Sequence, residues 1–314
     1  MTTACTADHC ACVTGGELGV ALSGGGARGL AQIGVLKVLE RARVPVSFVA
    51  GTSAGAVIGA VYATSETAQQ AEQRILQHLA TTGIGFNTET FEALAESNAR
   101  RPAGLLGMLG TLRRAARPGG SLIGGDAMRA SLRRLLGEAT FAGARIPFAA
   151  TALDLVTGRR VIFAEGSLVD AVYASSAIPG LFEPLQIGDH VLVDGGWAEP
   201  VPANTCHHLG AIHVVAVDVA DRHVHETERG AVSTALLADA LARQLLEESQ
   251  LKEADFVVRP EVAIRHFADF SDPAGLIAAG EQAAEATIRD IAAVLERHRS
   301  LFVRAATPSV PSLK

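Results

Sequence analysis

Two strand–glycine–helix units follow one another between residues 18 and 64. Residues 18–23 (LGVALS) form a short apolar run that ends in a glycine cluster, and from Gly29 onward apolar residues recur at helical spacing until Pro45. A second apolar run, residues 46–50, ends at Gly51 and is followed by AGAVIGAVYAT, whose small apolar side chains suit a buried helix. This order predicts a βαβ unit, and therefore a parallel sheet with helices on its faces.

The rest of the sequence continues the same pattern. Apolar runs typical of strands occupy residues 146–152, 160–164, 190–193, 212–219 and 256–259. Helical patterns occupy residues 67–99, 232–252 and 275–298. No stretch clearly separates two domains, so we expect a single α/β domain over residues 17–303, with flexible tails at residues 1–16 and 304–314.

The pentapeptide Gly51-Thr52-Ser53-Ala54-Gly55 lies at the junction of the second predicted strand and helix. A serine in such a sharp turn projects its hydroxyl above the sheet, and the residues two before and two after it must lack side chains because the backbone is crowded there. G-x-S-x-G also occurs in ordinary glycine-rich turns, but here the strand and the helix stand where a nucleophile needs them. We predict that Ser53 is a nucleophile that attacks an acyl ester.

A second glycine-rich turn, GGGARG at residues 24–29, follows the first predicted strand and opens a helix. Its glycines also fit the dinucleotide fingerprint G-x-G-x-x-G, but that site needs an acid at the end of the second strand, and the second strand here ends in AGTS. A P-loop is disfavoured because no Gly-Lys-Ser/Thr follows. We therefore interpret Gly24, Gly25 and Gly26 as an oxyanion hole, in which backbone N–H groups face a developing negative charge.

Asp194 begins the motif Asp194-Gly195-Gly196 at the end of a later predicted strand. Taken alone, this motif is more typical of an Asx turn that closes a strand. A nucleophilic serine, however, needs a base within hydrogen-bond reach, and burial in an apolar cleft raises the pKa of a carboxylate enough for it to serve. A dyad of Ser53 and Asp194 is chemically workable without a histidine.

Four motifs, GGGARG, GTSAG, ASSAIPG (residues 174–180) and DGG (residues 194–196), occur in an order and at separations that resemble the bacterial patatin-like phospholipase family over roughly residues 17–220. The resemblance implies a three-layer α/β/α sandwich with a mainly parallel central sheet. It also implies a serine acyl hydrolase of the lipid esterase or phospholipase A type, with a Ser53–Asp194 dyad, an oxyanion hole around Gly24, Gly25 and Gly26, and Arg28 fixing the glycine loop. Residues 175–179 correspond to a motif of packing character.

The expected partner of such a site is a lipid or another acyl ester. The dyad requires no metal, and the sequence contains no calcium loop of the D-x-[DN]-x-[DN]-G form, so we expect no cofactor. Relatives often continue DGG with Asn-Pro, whereas this chain has Trp197-Ala198-Glu199-Pro200. We expect Glu199 either to raise the pKa of Asp194 or to alter the preference for anionic lipids.

Two alternatives to the dyad enzyme remain open. A conventional α/β-hydrolase places its triad in the order serine, acid, histidine, and His266 and His298 lie late enough in the chain, although neither follows an obvious strand. A catalytically weak regulatory or lipid-binding protein would keep the fold without the chemistry. The joint presence of Ser53, Asp194 and the glycine loop argues against that second alternative.

Residues 100–134 combine glycines, prolines and leucines with eight arginines and one acid, Asp126. One interpretation is a mobile cap whose leucines contact acyl chains and whose arginines contact lipid phosphates at an anionic membrane surface. The other is a solvated helical hairpin with its arginines on the wet face. The sequence favours neither.

The formal net charge of −6 argues against a nucleic-acid partner, which would require clustered basic residues. No apolar run reaches the roughly 18 residues of a membrane-spanning helix, and the first residues lack the features of a secretory signal. We expect a cytoplasmic protein, peripheral at the membrane if residues 100–134 form a cap; the sequence indicates no oligomeric state. Cys5, His9, Cys10 and Cys12 match no zinc spacing and favour a reducible tail over a metal site.

Overall fold

A mixed eight-stranded sheet forms the centre of the part of the chain that the computed structural model describes, residues 18–82, 125–220, 231–262 and 268–306. Its strands are β1 (Leu18–Leu22), β2 (Phe48–Gly51), β3 (Phe148–Asp154), β4 (Arg159–Phe163), β5 (Leu185–Ile187), β6 (His190–Asp194), β7 (His213–Val217) and β8 (Phe256–Val258). They are ordered β5-β6-β3-β2-β1-β7-β8, and β4 also pairs with β3.

Helices flank this sheet. They are α1 (Ala31–Arg41), α2 (Ala54–Ala63), α3 (Ala68–Thr82), α4 (Gly125–Leu136), α5 (Leu168–Ser176), α6 (Ala203–Leu209), α7 (Ala231–Gln250) and α8 (Pro273–Ala306). A 3₁₀ helix, Gly26–Leu30, leads directly into α1. None of the helices within the described ranges is long and apolar enough to cross a bilayer.

The direction of the strands brings the chemically interesting turns together. β1, β2, β3, β7 and β8 pair in parallel, so the turns after β1 and β2 lie at the same edge of the sheet. On β3, Ala150 pairs with Gly51, the last residue of β2. β6 runs antiparallel to β3, and its Asp194 pairs with Ala152, two residues further along β3. The register therefore carries Asp194 to the level of the turn that follows β2.

Both faces of the sheet are covered. Leu18, Val20 and Leu22 of β1 pack into a large apolar cluster with residues of α1, α2, α5 and α8. Ala21 packs into a second cluster, which includes Ala203 and Cys206 of α6. Because neighbouring residues of a strand face opposite sides, these two clusters lie on opposite faces of the sheet. The predicted three-layer α/β/α sandwich is confirmed.

Most predicted elements are present, with boundaries shifted by a few residues. The sheet is less parallel than expected, because β4, β5 and β6 are all antiparallel to their partners. Three short elements, β5, α5 and α6, were not predicted, and α8 continues to Ala306 rather than ending at residue 298. The N-terminal tail with its cysteines, residues 83–124 and residues 307–314 lie outside the described residues.

Candidate active site

Ser53 occupies a strained turn between β2 and α2. Its backbone has φ 55° and ψ −120°, a conformation that residues with a Cβ rarely adopt. A Cβ added at Gly51 would overlap the backbone of Gly55, and one added at Gly55 would overlap the carbonyl of Leu22. The crowding expected at these two glycines is therefore present, and Ser53, at the tip of the turn, is partly exposed.

Two further serines hold the backbone of Ser53. The N–H of Ser53 donates to the hydroxyl of Ser175 at 2.9 Å, and the hydroxyl of Ser176 donates to the Ser53 carbonyl at 3.3 Å. The next residue, Ala177, accepts the N–H of Asp194 at 2.9 Å. The sequence predicted only packing for this motif, whereas its hydroxyls and its main chain join the two candidate catalytic residues.

Asp194 is the carboxylate that faces Ser53. It ends β6, is 3% exposed, and accepts the N–H of Gly196 at 2.7 Å. Burial raises the pKa of Asp194 to about 6, outweighing the opposing effects of the Gly196 N–H, the Ser53 hydroxyl as hydrogen-bond donor, and the nearby charge of Arg243. A carboxylate with this pKa is ionised at neutral pH and is a better proton acceptor than an exposed aspartate.

The glycine loop after β1 lies against the nucleophile. A Cβ added at Gly24 would be 3.4 Å from the Cβ of Ser53. The N–H of Gly24 donates to the carbonyl of Pro200 at 3.1 Å and is therefore engaged within the protein. Among the described residues, the N–H groups of Gly25 and Gly26 have no hydrogen-bond partner. The oxyanion hole at Gly24, Gly25 and Gly26 stays a prediction, and Gly25 and Gly26 are its available donors.

The motifs that meet at this site also identify the family. A family model described as patatin-like phospholipase matches residues 20–207.

The chain belongs to the patatin-like phospholipase family.

Curated relatives agree with this assignment. The chain is 31% identical to mouse patatin-like phospholipase domain-containing protein 6 over 209 residues, which are 66% of this chain and 14% of that protein. Neuropathy target esterase sws of Drosophila melanogaster is 30% identical over 66% of this chain and 13% of its own length. An uncharacterised NTE family protein of Mycobacterium tuberculosis is 28% identical over 74% of this chain and 36% of its own length. The chain thus spans only a small part of these relatives.

Among solved structures, VipD from Legionella pneumophila is similar with a TM-score of 0.43 and 13% identity, over 88% of this chain and 67% of that one.

Arg28 of the patatin-like GGGARG motif bonds to the glycine loop itself. It is 8% exposed, and its Nε donates to the carbonyl of Gly25 at 3.3 Å. Gln32, one turn further along, donates from Nε2 to the carbonyl of Ser23 at 2.7 Å. These contacts fit the expected role of Arg28 in fixing the loop.

A cluster on α7 that the sequence did not reveal lies near Asp194. The Arg243 guanidinium lies over the ring of Trp197 at 4.6 Å and bonds to Asp239, which also accepts the Trp197 Nε1 proton at 3.0 Å. The positive charge of Arg243 lowers the pKa of Asp194 and so partly opposes the effect of burial. No local motif marks Arg243, because α7 reaches the loop around Trp197 only in the folded protein.

Of the two effects expected of Glu199, a raised pKa of Asp194 is not seen, and a changed preference for anionic lipids stays a prediction. Burial is the cause that raises the pKa of Asp194, and the Glu199 carboxylate is engaged elsewhere, by Thr205 and Arg160. Burial also raises the pKa of Glu199 itself, against the hydrogen bonds from Thr205 and the charge of Arg160.

The triad alternative with His266 and His298 stays a prediction, because His266 lies outside the described residues and His298 is described only as part of the main chain of α8. Within the described ranges no three His, Cys, Asp or Glu side chains are placed to hold a metal ion together.

Proposed function

We propose that this chain is a serine acyl hydrolase that cleaves acyl esters of lipids. The observation that carries the proposal is the pairing of Ser53, held in a strained turn, with Asp194, a buried carboxylate whose pKa is raised to about 6. Neither feature stabilises the fold, since strain and the burial of a charge both have a cost. Such costs concentrate at functional sites.

The chemistry proceeds in two steps. The Ser53 hydroxyl attacks the ester carbonyl carbon while Asp194 takes its proton, and the carbonyl oxygen becomes an oxyanion that accepts the N–H groups of Gly25 and Gly26. Collapse of this intermediate breaks the ester bond, and the leaving alcohol receives the proton from Asp194. Water then attacks the acyl-enzyme, Asp194 again takes the proton, and Ser53 regains it as the fatty acid leaves.

The pH profile of ester hydrolysis tests this proposal. Because Asp194 must be ionised to accept a proton, kcat/KM for a short-chain nitrophenyl ester should rise with pH through about 6 and then level off. Ser53→Ala and Asp194→Asn should each lower kcat/KM by on the order of 10³ or more, whereas replacing His266 and His298 together should leave it intact. Loss of activity on replacing the histidines would contradict the dyad.

We also propose that the catalytic edge contacts a phospholipid surface through the turn of the β3–β4 hairpin. Leu155 and Val156 at this turn are 54% and 61% exposed, in a position where polar residues are usual. Two hydrogen bonds hold the turn, in which the buried carboxylate of Asp154 accepts the Val156 N–H and the Thr157 hydroxyl. β2 ends at Gly51, which pairs with Ala150, whereas β3 continues to Asp154. The hairpin turn that follows β3 therefore lies at the same edge of the sheet as Ser53.

The contact expected of residues 100–134 stays a prediction for residues 100–124, which lie outside the described ranges. Of the part within α4, Arg129 is engaged, since its guanidinium lies over the Tyr173 ring at 4.6 Å.

A further inference from the structure

Glu199 is a buried charged residue that the proposed reaction does not use. It is 1% exposed. One carboxylate oxygen accepts the Thr205 N–H at 3.1 Å and an Arg160 guanidinium N–H at 2.8 Å, and the other accepts the Thr205 hydroxyl at 2.5 Å. The side chain thus anchors its loop to α6 on one side and to β4 on the other.

The main chain at Glu199 contacts all three parts of the candidate site. Its N–H donates at 2.7 Å to the carbonyl of Gly195, the residue after Asp194. Its carbonyl accepts the hydroxyl of Thr52, the residue before Ser53, at 2.7 Å. The adjoining carbonyl of Pro200 accepts the Gly24 N–H at 3.1 Å, at the start of the glycine loop.

The loop that carries these contacts is also bound by Gln250 of α7, whose Nε2 donates to the Ala198 carbonyl at 3.1 Å and whose Oε1 accepts the Val201 N–H at 3.1 Å. Residues 198–202 belong to no helix or strand, so their position depends on side-chain and main-chain anchors. A buried carboxylate is costly unless it is well paired, and an apolar residue of similar size would fill the same space with less cost. A paired carboxylate does, however, fix the loop in one place, because its hydrogen bonds are directional.

We propose that Glu199 is a positioning residue, whose anchored loop sets the spacing between Asp194, Ser53 and the glycine loop. This inference rests on the proposed function, since it assigns Glu199 a role in the same reaction. Its effect is indirect: Gly24 holds Gly25 and Gly26 in place, and Thr52 holds Ser53. A shift of this loop moves the predicted oxyanion donors relative to the nucleophile.

Kinetics of three variants test the proposal. Glu199→Ala removes the hydrogen bonds of the Glu199 side chain to Thr205 and Arg160. Glu199→Gln keeps them, because its amide oxygen can accept from the Thr205 N–H and from Arg160, and its amide nitrogen can donate to the Thr205 hydroxyl. Lys37→Met is the control, since it removes ion pairs of 2.8 Å to Glu72 and 2.6 Å to Glu281, away from this loop.

We expect Glu199→Ala to lower kcat for a soluble ester by roughly 10- to 100-fold with little change in KM, because oxyanion contacts form in the transition state. The affinity for an alkyl boronic acid, which forms a tetrahedral adduct with the serine, should fall by a similar factor. Glu199→Gln should retain most of kcat, and Lys37→Met should retain all of it. A rise in KM with kcat unchanged, or equal losses in the Ala and Gln variants, would overturn the proposal.

Amide hydrogen exchange tests the same inference without activity. Peptides that cover residues 20–30 and 48–57 should exchange faster in Glu199→Ala than in the wild type. In Glu199→Gln and Lys37→Met, the same peptides should exchange at the wild-type rate. Unchanged exchange in the Ala variant would contradict the positioning role. If the wild type hydrolyses no ester, the proposed function fails, and the exchange result still decides whether Glu199 positions the site.

Discussion

At the scale of single residues, the candidate site combines a strained serine with a carboxylate that the fold disfavours in its charged form. The Ser53 backbone is held in its unusual conformation from both sides, through the Ser175 hydroxyl and the glycines at positions 51 and 55. Within the described part of the chain, the Gly196 N–H, the Ser53 hydroxyl and the charge of Arg243 partly offset the burial of Asp194. The pair is therefore maintained against a free-energy cost that the rest of the molecule offsets.

Asp194→Asn should stabilise the protein at neutral pH. The pKa of Asp194 is raised from 3.8 to about 6 in the folded state, so ionisation of Asp194 disfavours folding above pH 6 by about 3 kcal/mol and has no such effect below pH 4. The free energy of unfolding in urea should be higher for the Asn variant by about this amount at pH 7.5, and the difference should vanish near pH 4.

The control for this experiment is Asp189→Asn, at an exposed position on the turn before β6. Because this side chain is exposed, its replacement should change the free energy of unfolding little. A gap between the wild type and Asp194→Asn that is the same at pH 4 and pH 7.5 would show that Asp194 carries no raised pKa.

The residues that the sequence reveals are those that belong to local motifs. Ser53 and its flanking glycines are recognisable because a sharp turn dictates small residues at fixed spacing. The bond from the Gly24 N–H to Pro200 and the approach of Arg243 to Asp194 join parts of the chain far apart in sequence. No local pattern encodes them, so the sequence revealed neither the engagement of the Gly24 N–H nor the positive charge next to Asp194.

At the scale of secondary-structure elements, strands with continuous apolar runs were predicted well and short elements were not. β1 and β7 are buried along nearly their whole length, which the sequence shows as uninterrupted apolar residues. β5 has three residues and α6 has seven, too few for a periodic pattern to stand out. The antiparallel direction of β6, which brings Asp194 to Ser53, depends on pairing with β3 rather than on its own sequence.

The β3–β4 hairpin provides an element-scale prediction. Leu155→Ser/Val156→Ser should weaken binding to vesicles of phosphatidylcholine and phosphatidylglycerol by roughly tenfold or more, because two exposed aliphatic side chains no longer insert. Co-sedimentation measures the binding, and hydrolysis of a soluble ester should be unchanged.

Ile212→Ser is the matched control for the hairpin. Ile212 is 46% exposed but precedes β7, at the edge of the sheet opposite Ser53, so its replacement should leave vesicle binding unaltered. Wild-type protein that binds no vesicles even at low salt, or a hairpin variant that binds like the wild type, would contradict the proposed surface.

At the scale of the whole molecule, the chain beyond the family match is part of the same fold. The matched region ends at residue 207, yet β7 pairs with β1 along its whole length in the middle of the sheet. The Val219 N–H donates to the Ser23 hydroxyl at 3.1 Å, and a Cβ at Gly25 would lie 2.6 Å from the Val219 side chain. The glycine loop of the candidate site thus rests on residues outside the matched region.

The packing of α8 on α1 fastens this later part of the chain to the first βαβ unit. A Cβ added at Gly34 would overlap the backbone of α8 at Ile277, so the two helices can approach this closely only with glycine there. Gly34→Ala should lower the free energy of unfolding by about 3 kcal/mol or more, because the helices must separate. Gly143→Ala, whose added methyl meets nothing nearer than 3.9 Å, should change it little. Equal effects of the two substitutions in urea titrations would contradict this view of the interface.

Covalent labelling of Ser53 tests the proposed nucleophile most directly. Folded protein is incubated with a fluorophosphonate at pH 7.5, and intact mass followed by peptide mapping locates the adduct. We expect one adduct per chain, on Ser53, formed more slowly at pH 5 and absent from Ser53→Ala that keeps the wild-type circular dichroism spectrum. No adduct on the folded wild type, or an adduct on another residue, would contradict the assignment of Ser53 and favour a regulatory or lipid-binding protein that retains the patatin-like fold.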